Sequence, residues 1–122
     1  DLNDYVAEID LETLFGQYAE GGSFKAFSKY PPVERDLAVV VDASVPAGDM
    51  VKAVREAKIK FLDSAEVFDV YCGAQIGEGK KSVAMKFAFS STERTLTDEE
   101  IAAEMKKILA ALKKRVGAKI RV

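Results

Sequence analysis

Read with period two, Glu66-Val67-Phe68-Asp69-Val70-Tyr71-Cys72 sends Phe68, Val70 and Cys72 to one side and Val67, Asp69 and Tyr71 to the other. Lys81 to Ser90 alternates in the same way. Val83, Met85, Phe87 and Phe89 share one face, and Ser82, Ala84, Lys86 and Ala88 the opposite one. Arg35 to Asp42 predicts a further strand, with Leu37, Val39 and Val41 inward and Asp36, Ala38 and Val40 outward. Each strand thus has an apolar side fit for a core and a mixed side that packs poorly.

Between the strands the period lengthens. Pro46 suits the first turn of a helix, with Ser44 as its cap, and Met50, Val51, Val54 and Ala57 make an apolar stripe that ends near Lys60. Gly73, Gly77 and Gly79 mark a hairpin connection. Thr97-Asp98-Glu99-Glu100 has the spacing of a capping box. Ile101, Met105, Ile108, Leu109, Leu112 and Val116 follow as a buried stripe. Acids crowd the first turn of that helix and Lys113, Lys114 and Arg115 the last, as the helix dipole favours, and Gly117 stops it. Ala118 to Val122 makes a short final strand with Ile120 and Val122 inward.

The order strand, helix, strand, strand, helix, strand, joined by right-handed crossovers, predicts an α+β fold. It is a ferredoxin-like βαββαβ sandwich, a four-stranded antiparallel sheet with both helices on one face. The helices should cover the face of Val39, Phe68, Val70, Met85 and Phe87, leaving Asp69, Tyr71, Ser82, Ala84 and Lys86 open.

Upstream, Tyr5 to Leu11 alternates as a strand and Glu12 to Phe15 fits one helical turn. Gly21-Gly22 is the best domain boundary, so residues 1–22 read as the tail of a preceding domain plus linker, and residues 23–122 as the main domain. That first strand could equally extend the main sheet at an edge. Phe24 to Pro32 reads as an extended lead-in anchored by Phe24 and Phe27, with Pro31-Pro32 keeping it irregular. The chain opens on Asp1 rather than methionine, which suggests a piece of something longer.

Composition narrows the chemistry. With 122 residues, 48% of them hydrophobic, a single core is affordable, and no apolar run approaches bilayer length. A formal charge of −2 argues against general nucleic-acid adhesion, so any such binding must be local and geometric. The chain has no histidine and one cysteine, Cys72, which removes Ser-His-Asp, Cys-His and CxxC chemistry and any disulfide framework, and fits a reducing cytosol. No cluster of carboxylates, lysines or tyrosines suggests catalysis instead.

The open face is where chemistry remains. Asp69 and Tyr71 stand two apart on one strand, about 7 Å from each other on one side. An exposed ring offers a base a stacking surface, and a carboxylate beside it accepts two hydrogen bonds from guanine N1–H and N2–H₂. Ser82 on the neighbouring strand reaches a base edge or sugar, and Ala38 and Ala84 leave room. Lys80, Lys81, Lys86 and Arg94 are candidate phosphate contacts from geometry and charge. Spacing alone favours a plainer reading, in which Tyr71 is a β-forming ring paired with a neighbour and Asp69 deters edge aggregation.

From Phe24 onward, however, the chain resembles the ferredoxin-fold anticodon-binding domain at the C-terminus of the bacterial phenylalanyl-tRNA synthetase beta subunit. The match is carried by Lys29 to Ala38, Val45-Pro46-Ala47-Gly48-Asp49, Leu62 to Gly73, Gly77 to Ser82, Arg94 to Glu100 and the terminal helix and strand. Residues 1–22 resemble the end of the catalytic-like domain that precedes this module. The resemblance implies anticodon contact. Asp69 and Tyr71 match the acid and ring that engage the first anticodon base, a guanine, and Ser82 matches a hydroxyl that helps. Cys72 stands where the family often carries a basic residue. The resemblance further implies a cytoplasmic α2β2 ligase with an alpha-subunit partner that attaches phenylalanine to tRNA-Phe. ATP and magnesium serve the full synthetase, whereas this segment holds no cofactor and no catalytic residue. The competing readings are a small-molecule regulatory module that binds an amino acid at a subunit interface, and an acylphosphatase-like enzyme or a metal-handling domain. The phosphatase needs an arginine that the stretch Asp42 to Pro46 lacks, and the metal domain needs ligands that a lone cysteine cannot supply.

Overall fold

The computed structural model describes residues 4–18 and 29–121. Its elements are α1 (Leu11–Gly16), β1 (Val33–Asp42), α2 (Ala47–Glu56), β2 (Leu62–Tyr71), β3 (Lys80–Phe89), α3 (Asp98–Val116) and β4 (Lys119–Ile120). The sheet runs β2-β3-β1-β4, and β3 pairs antiparallel with β1 and β2, as β4 does with β1. This is the expected ferredoxin-like sandwich. One face of the sheet packs Val39, Val41, Val83, Met85, Phe87 and Phe89 against Met50, Ala53 and Val54 of α2 and Ile101, Ile108 and Leu112 of α3. Burial of the Val, Ile, Leu, Met and Phe side chains among them, each worth about 1.5–3 kcal/mol, holds the layers together.

Local chemistry explains most boundaries. The α3 capping box forms as spelled: the Thr97 hydroxyl accepts from the Glu100 amide, and the Glu100 carboxylate accepts from the Thr97 amide. Gly117 closes the helix in the left-handed conformation at φ 66°, which a residue with a Cβ adopts at a cost. The start of α2 differs from expectation. Ser44 does not cap it; its amide and hydroxyl both donate to the Asp42 carboxylate at 3.0 and 2.6 Å, closing the turn after β1. These bonds hold the Asp42 carboxyl below its usual pKa, the hydroxyl contributing most and the amide next.

Helix α2 also stops earlier than the expected end near Lys60. Lys58 and Phe61 take positive φ values of 49° and 63°, so the connection turns sharply into β2. Glu104 of α3, almost fully buried, accepts the Lys60 amide at 3.1 Å and the Lys107 ammonium at 2.6 Å, pinning this turn to the helix layer. Ala53, rather than Ala57, completes the buried stripe of α2.

The N-terminal stretch corrects the reading most visibly. Tyr5 to Asp10 forms no strand. The helical turn expected after it exists as α1, capped by the Asp10 carboxylate, which accepts from the Glu12 and Thr13 amides. No residue of α1 is buried, so this segment adds nothing to the core. The Gly21-Gly22 boundary and the Phe24 and Phe27 anchors lie outside the described residues. Among the described residues no helix is long and apolar enough to cross a membrane.

Candidate nucleic-acid interface

The side of the sheet away from the helices is set by the register. Glu34, Asp36, Ala38 and Val40 of β1 stand opposite Ala88, Lys86, Ala84 and Ser82 of β3. On the other flank of β3, Glu66, Asp69 and Tyr71 stand opposite Lys86, Ala84 and Ser82. Asp69, Tyr71 and Ser82 therefore converge on one end of the open face, as their alternation predicts. Asp69 is exposed and carries no hydrogen bond or ion pair among the described residues. Tyr71 is 43% exposed.

Ser82 is not open in the sense expected: it is only 3% exposed. Its cover is Arg121, whose guanidinium donates to the Ser82 hydroxyl at 3.5 Å and lies 5.7 Å from the centre of the Tyr71 ring. The backbone of Arg121 is fixed by its amide donating to the Ala38 carbonyl at 3.0 Å, just beyond β4. From there its side chain reaches past β1 to Ser82 of β3 and the Tyr71 ring of β2.

Gly73 completes the setting of the ring. A Cβ placed there would come within 2.6 Å of Tyr71 Cζ, far inside van der Waals contact. The phenol lies over a residue that has no side chain to displace it. Arg121 and Gly73 thus border the Tyr71 ring; the sequence marks Gly73 only as part of the hairpin connection and does not single out Arg121. Arg121 was legible, since alternation from buried Ala118 sends Lys119 and Arg121 to the open side. Ile120 keeps the parity expected of it but lies half-exposed at the sheet edge, and Val122 lies outside the described residues.

The face assignment within β2 needs correction. The pairing slips between Val67 and Asp69: Val67 faces Met85, yet Asp69 faces Ala84, so Phe68 is an extra residue in a β-bulge. Val67 therefore belongs with the core, against which it packs. Phe68 does not join the core; it is 56% exposed, and the Lys86 ammonium, on the open face, is 5.9 Å from its ring centre. Val70 keeps the helix-side parity opposite Val83 but is half-exposed on the edge strand. Cys72, expected inward, is exposed beyond the strand end.

The four candidate phosphate contacts separate. Lys86 lies on the open face, 3.4 Å from Glu34, an exposed pair too weak to hold it. Lys80 begins β3 opposite Asp42 with open-face parity, whereas Lys81, opposite Val41, has the parity of the helix side. Arg94 lies beyond the far end of β3, where its guanidinium grips the Glu100 carboxylate with bonds of 2.8 and 2.6 Å. That clamp, and next the Thr97 amide, pull the Glu100 carboxyl down to about 2. The structure therefore engages Arg94 in the α3 cap and does not bring it to Asp69 and Tyr71.

A half-exposed ring, an acid unpaired among the described residues, and a cation held on a hydroxyl, together on one side of a sheet, are groups that a single-stranded base can use. A family model described as the ferredoxin-fold anticodon binding domain matches residues 28–121, and the chain belongs to that family. Its relatives include proteins named phenylalanine–tRNA ligase beta subunit. That of Streptococcus agalactiae is 42% identical over 117 residues, covering 96% of this chain and 15% of the relative. That of Clostridium tetani is 41% identical over 117 residues, with the same coverage. The Shouchella clausii protein is 37% identical over 122 residues, covering 99% of this chain and 15% of the relative. The chain thus spans about 15% of the length of these curated relatives.

Proposed function

We propose that this chain is the anticodon-recognition module of a cytoplasmic phenylalanine–tRNA ligase beta subunit. It holds the tRNA-Phe anticodon loop so that the acceptor end reaches an active site elsewhere in an α2β2 assembly. Residues 1–22 are then the tail of the preceding domain, and residues 23–122 the module itself. The observation that supports this reading most is the half-exposed Tyr71 ring, set over Gly73 and beside Asp69, which is unpaired among the described residues, on the face away from α2 and α3.

In this mechanism the first anticodon base, a guanine, stacks on Tyr71 while the Asp69 carboxylate accepts its N1–H and N2–H₂. The Ser82 hydroxyl meets the base edge or sugar once Arg121 swings from it to an adjoining phosphate. Lys80 and Lys86 on the same face are further phosphate partners, and Lys81 at the start of β3 follows the backbone outward. An adenine offers no such donor pair to Asp69, so the wrong base leaves the carboxylate unmatched. Discrimination of about 1–3 kcal/mol is the scale of a good bidentate base contact. The ATP-dependent joining of phenylalanine to tRNA belongs to other parts of the ligase, and no residue here is assigned to ATP or magnesium.

The test uses the intact synthetase. Tyr71→Ala and Asp69→Ala should each raise the KM for tRNA-Phe by about five- to a hundredfold and leave amino-acid activation unchanged. Normal charging by both variants would overturn the proposal.

A further inference from the structure

The bulge in β2 creates an aromatic surface that simple alternation would have buried. Phe68 is the unpaired residue between Val67, which faces Met85 on the helix side, and Asp69, which faces Ala84 on the open side. Lys86, which stands on the open face of β3, holds its ammonium 5.9 Å from the centre of the Phe68 ring. More than half of Phe68 is exposed. An edge strand tolerates such a bulge because only one neighbour constrains it, and bulges recur where a side chain must be re-aimed. Here the side chain re-aimed is a phenylalanine with no polar group of its own, so its use is contact with something flat or apolar.

We propose that Phe68 is a second nucleobase platform, taking an unstacked base of the same anticodon loop next to the one seated on Tyr71. The inference rests on the anticodon reading given above and extends it along the strand. Phe68 and Tyr71 are three residues apart, about 10 Å along the strand, so one continuous single strand can lay different bases on the two rings. Lys86, beside the Phe68 ring, supplies the cation that such strands need near each phosphate. Its exposed pairing with Glu34 at 3.4 Å leaves it free to shift. Alternating rings and cations on one surface is how sheets hold single-stranded nucleic acid without reading every base. The Phe68 platform therefore adds affinity and sets the path of the loop, while Asp69 reads the base on Tyr71.

The decisive experiment measures equilibrium binding of the intact synthetase to tRNA-Phe transcripts that each lack one anticodon-loop base. Phe68→Leu, Phe68→Tyr and Tyr71→Leu are compared with the unaltered enzyme. Phe68→Leu should weaken binding of complete tRNA by about five- to a hundredfold, and Phe68→Tyr should restore it. Removing one particular base should weaken the unaltered enzyme similarly and the Phe68→Leu enzyme no further. Tyr71→Leu should show the same coupling to a different base. If Tyr71→Leu weakens binding and Phe68→Leu does not, the second platform is wrong and the first stands. If neither weakens it, the anticodon reading itself falls. Equal weakening of every transcript by Phe68→Leu would make Phe68 a contact to protein, and would also overturn the proposal.

Discussion

Strands β2 and β3 lie side by side and are each 10 residues long, yet they follow the alternation of inward and outward side chains differently. In β3 the alternation holds from Ser82 to Phe89, and its apolar side is the floor of the core. In β2 the pairing slips twice, between Leu62 and Ser64 and again at Phe68. The difference lies in position within the sheet. β3 is hydrogen-bonded on both sides, so any slip would break two ladders and turn its core residues outward. β2 has a neighbour on one side only, and there an extra residue costs little. A central strand is thus built for stability, and its edge neighbour is free to arrange side chains for contact.

The sharpest way to break this comparison is to truncate the same residue type in each strand. Phe87→Ala, at a fully buried position, should cost about 3–5 kcal/mol in urea or thermal unfolding. Phe68→Ala, one strand away, should change stability by about 0.5 kcal/mol. Comparable losses would mean that Phe68 packs in the core. On the functional side, Tyr71→Ala should weaken anticodon stem-loop binding by about 1–3 kcal/mol while stability stays near that of the parent. Gly73→Ala should have a smaller effect, about 0.5–1.5 kcal/mol in RNA binding, since its methyl would push the Tyr71 ring from its seat. An aromatic ¹³C–¹H spectrum that leaves the Tyr71 signals unmoved in that variant would contradict the steric account.

The smallest effect concerns pH and the α3 cap rather than either strand. Glu100 titrates at about 2 in the fold, below its ordinary 4.5. Its stabilising contribution is therefore complete above about pH 4.5 and fades as pH falls toward 2. Glu100→Gln should lower the melting temperature slightly at neutral pH, and the gap to the parent should close on acidification. A gap that stays constant down to about pH 2 would remove the Arg94 clamp from the account. Because the cap lies beyond the opposite end of β3 from Ser82, RNA binding should not respond.

Much of this was readable from residue order. The capping box and terminal Gly117 fixed α3, since both act within one helical turn and need no tertiary context. The parity of Asp69, Tyr71 and Ser82 came through because Asp69 and Tyr71 stand opposite Ala84 and Ser82 of the regular central strand. What alternation missed depended on the third dimension. Nothing in Val67-Phe68-Asp69 marks a bulge, for no glycine interrupts it, so Phe68 was assigned to the core. Tyr5 to Asp10 alternates well but finds no strand to pair with among the described residues, and period two alone does not make a sheet. The cover on Ser82 arises from a residue 39 positions away, Arg121. Only the antiparallel return of β4 beside β1 brings it near.

The most direct measurement is an NMR titration of this chain with a tRNA-Phe anticodon stem-loop bearing GAA, set against one whose first anticodon base is adenine. The account predicts shifts confined to the face away from α2 and α3, at Phe68, Asp69, Tyr71, Gly73, Ser82, Lys86 and Arg121, and markedly weaker ones with the altered loop. Shifts centred on the exposed surfaces of α2 and α3, or indifference to the first base, would contradict it.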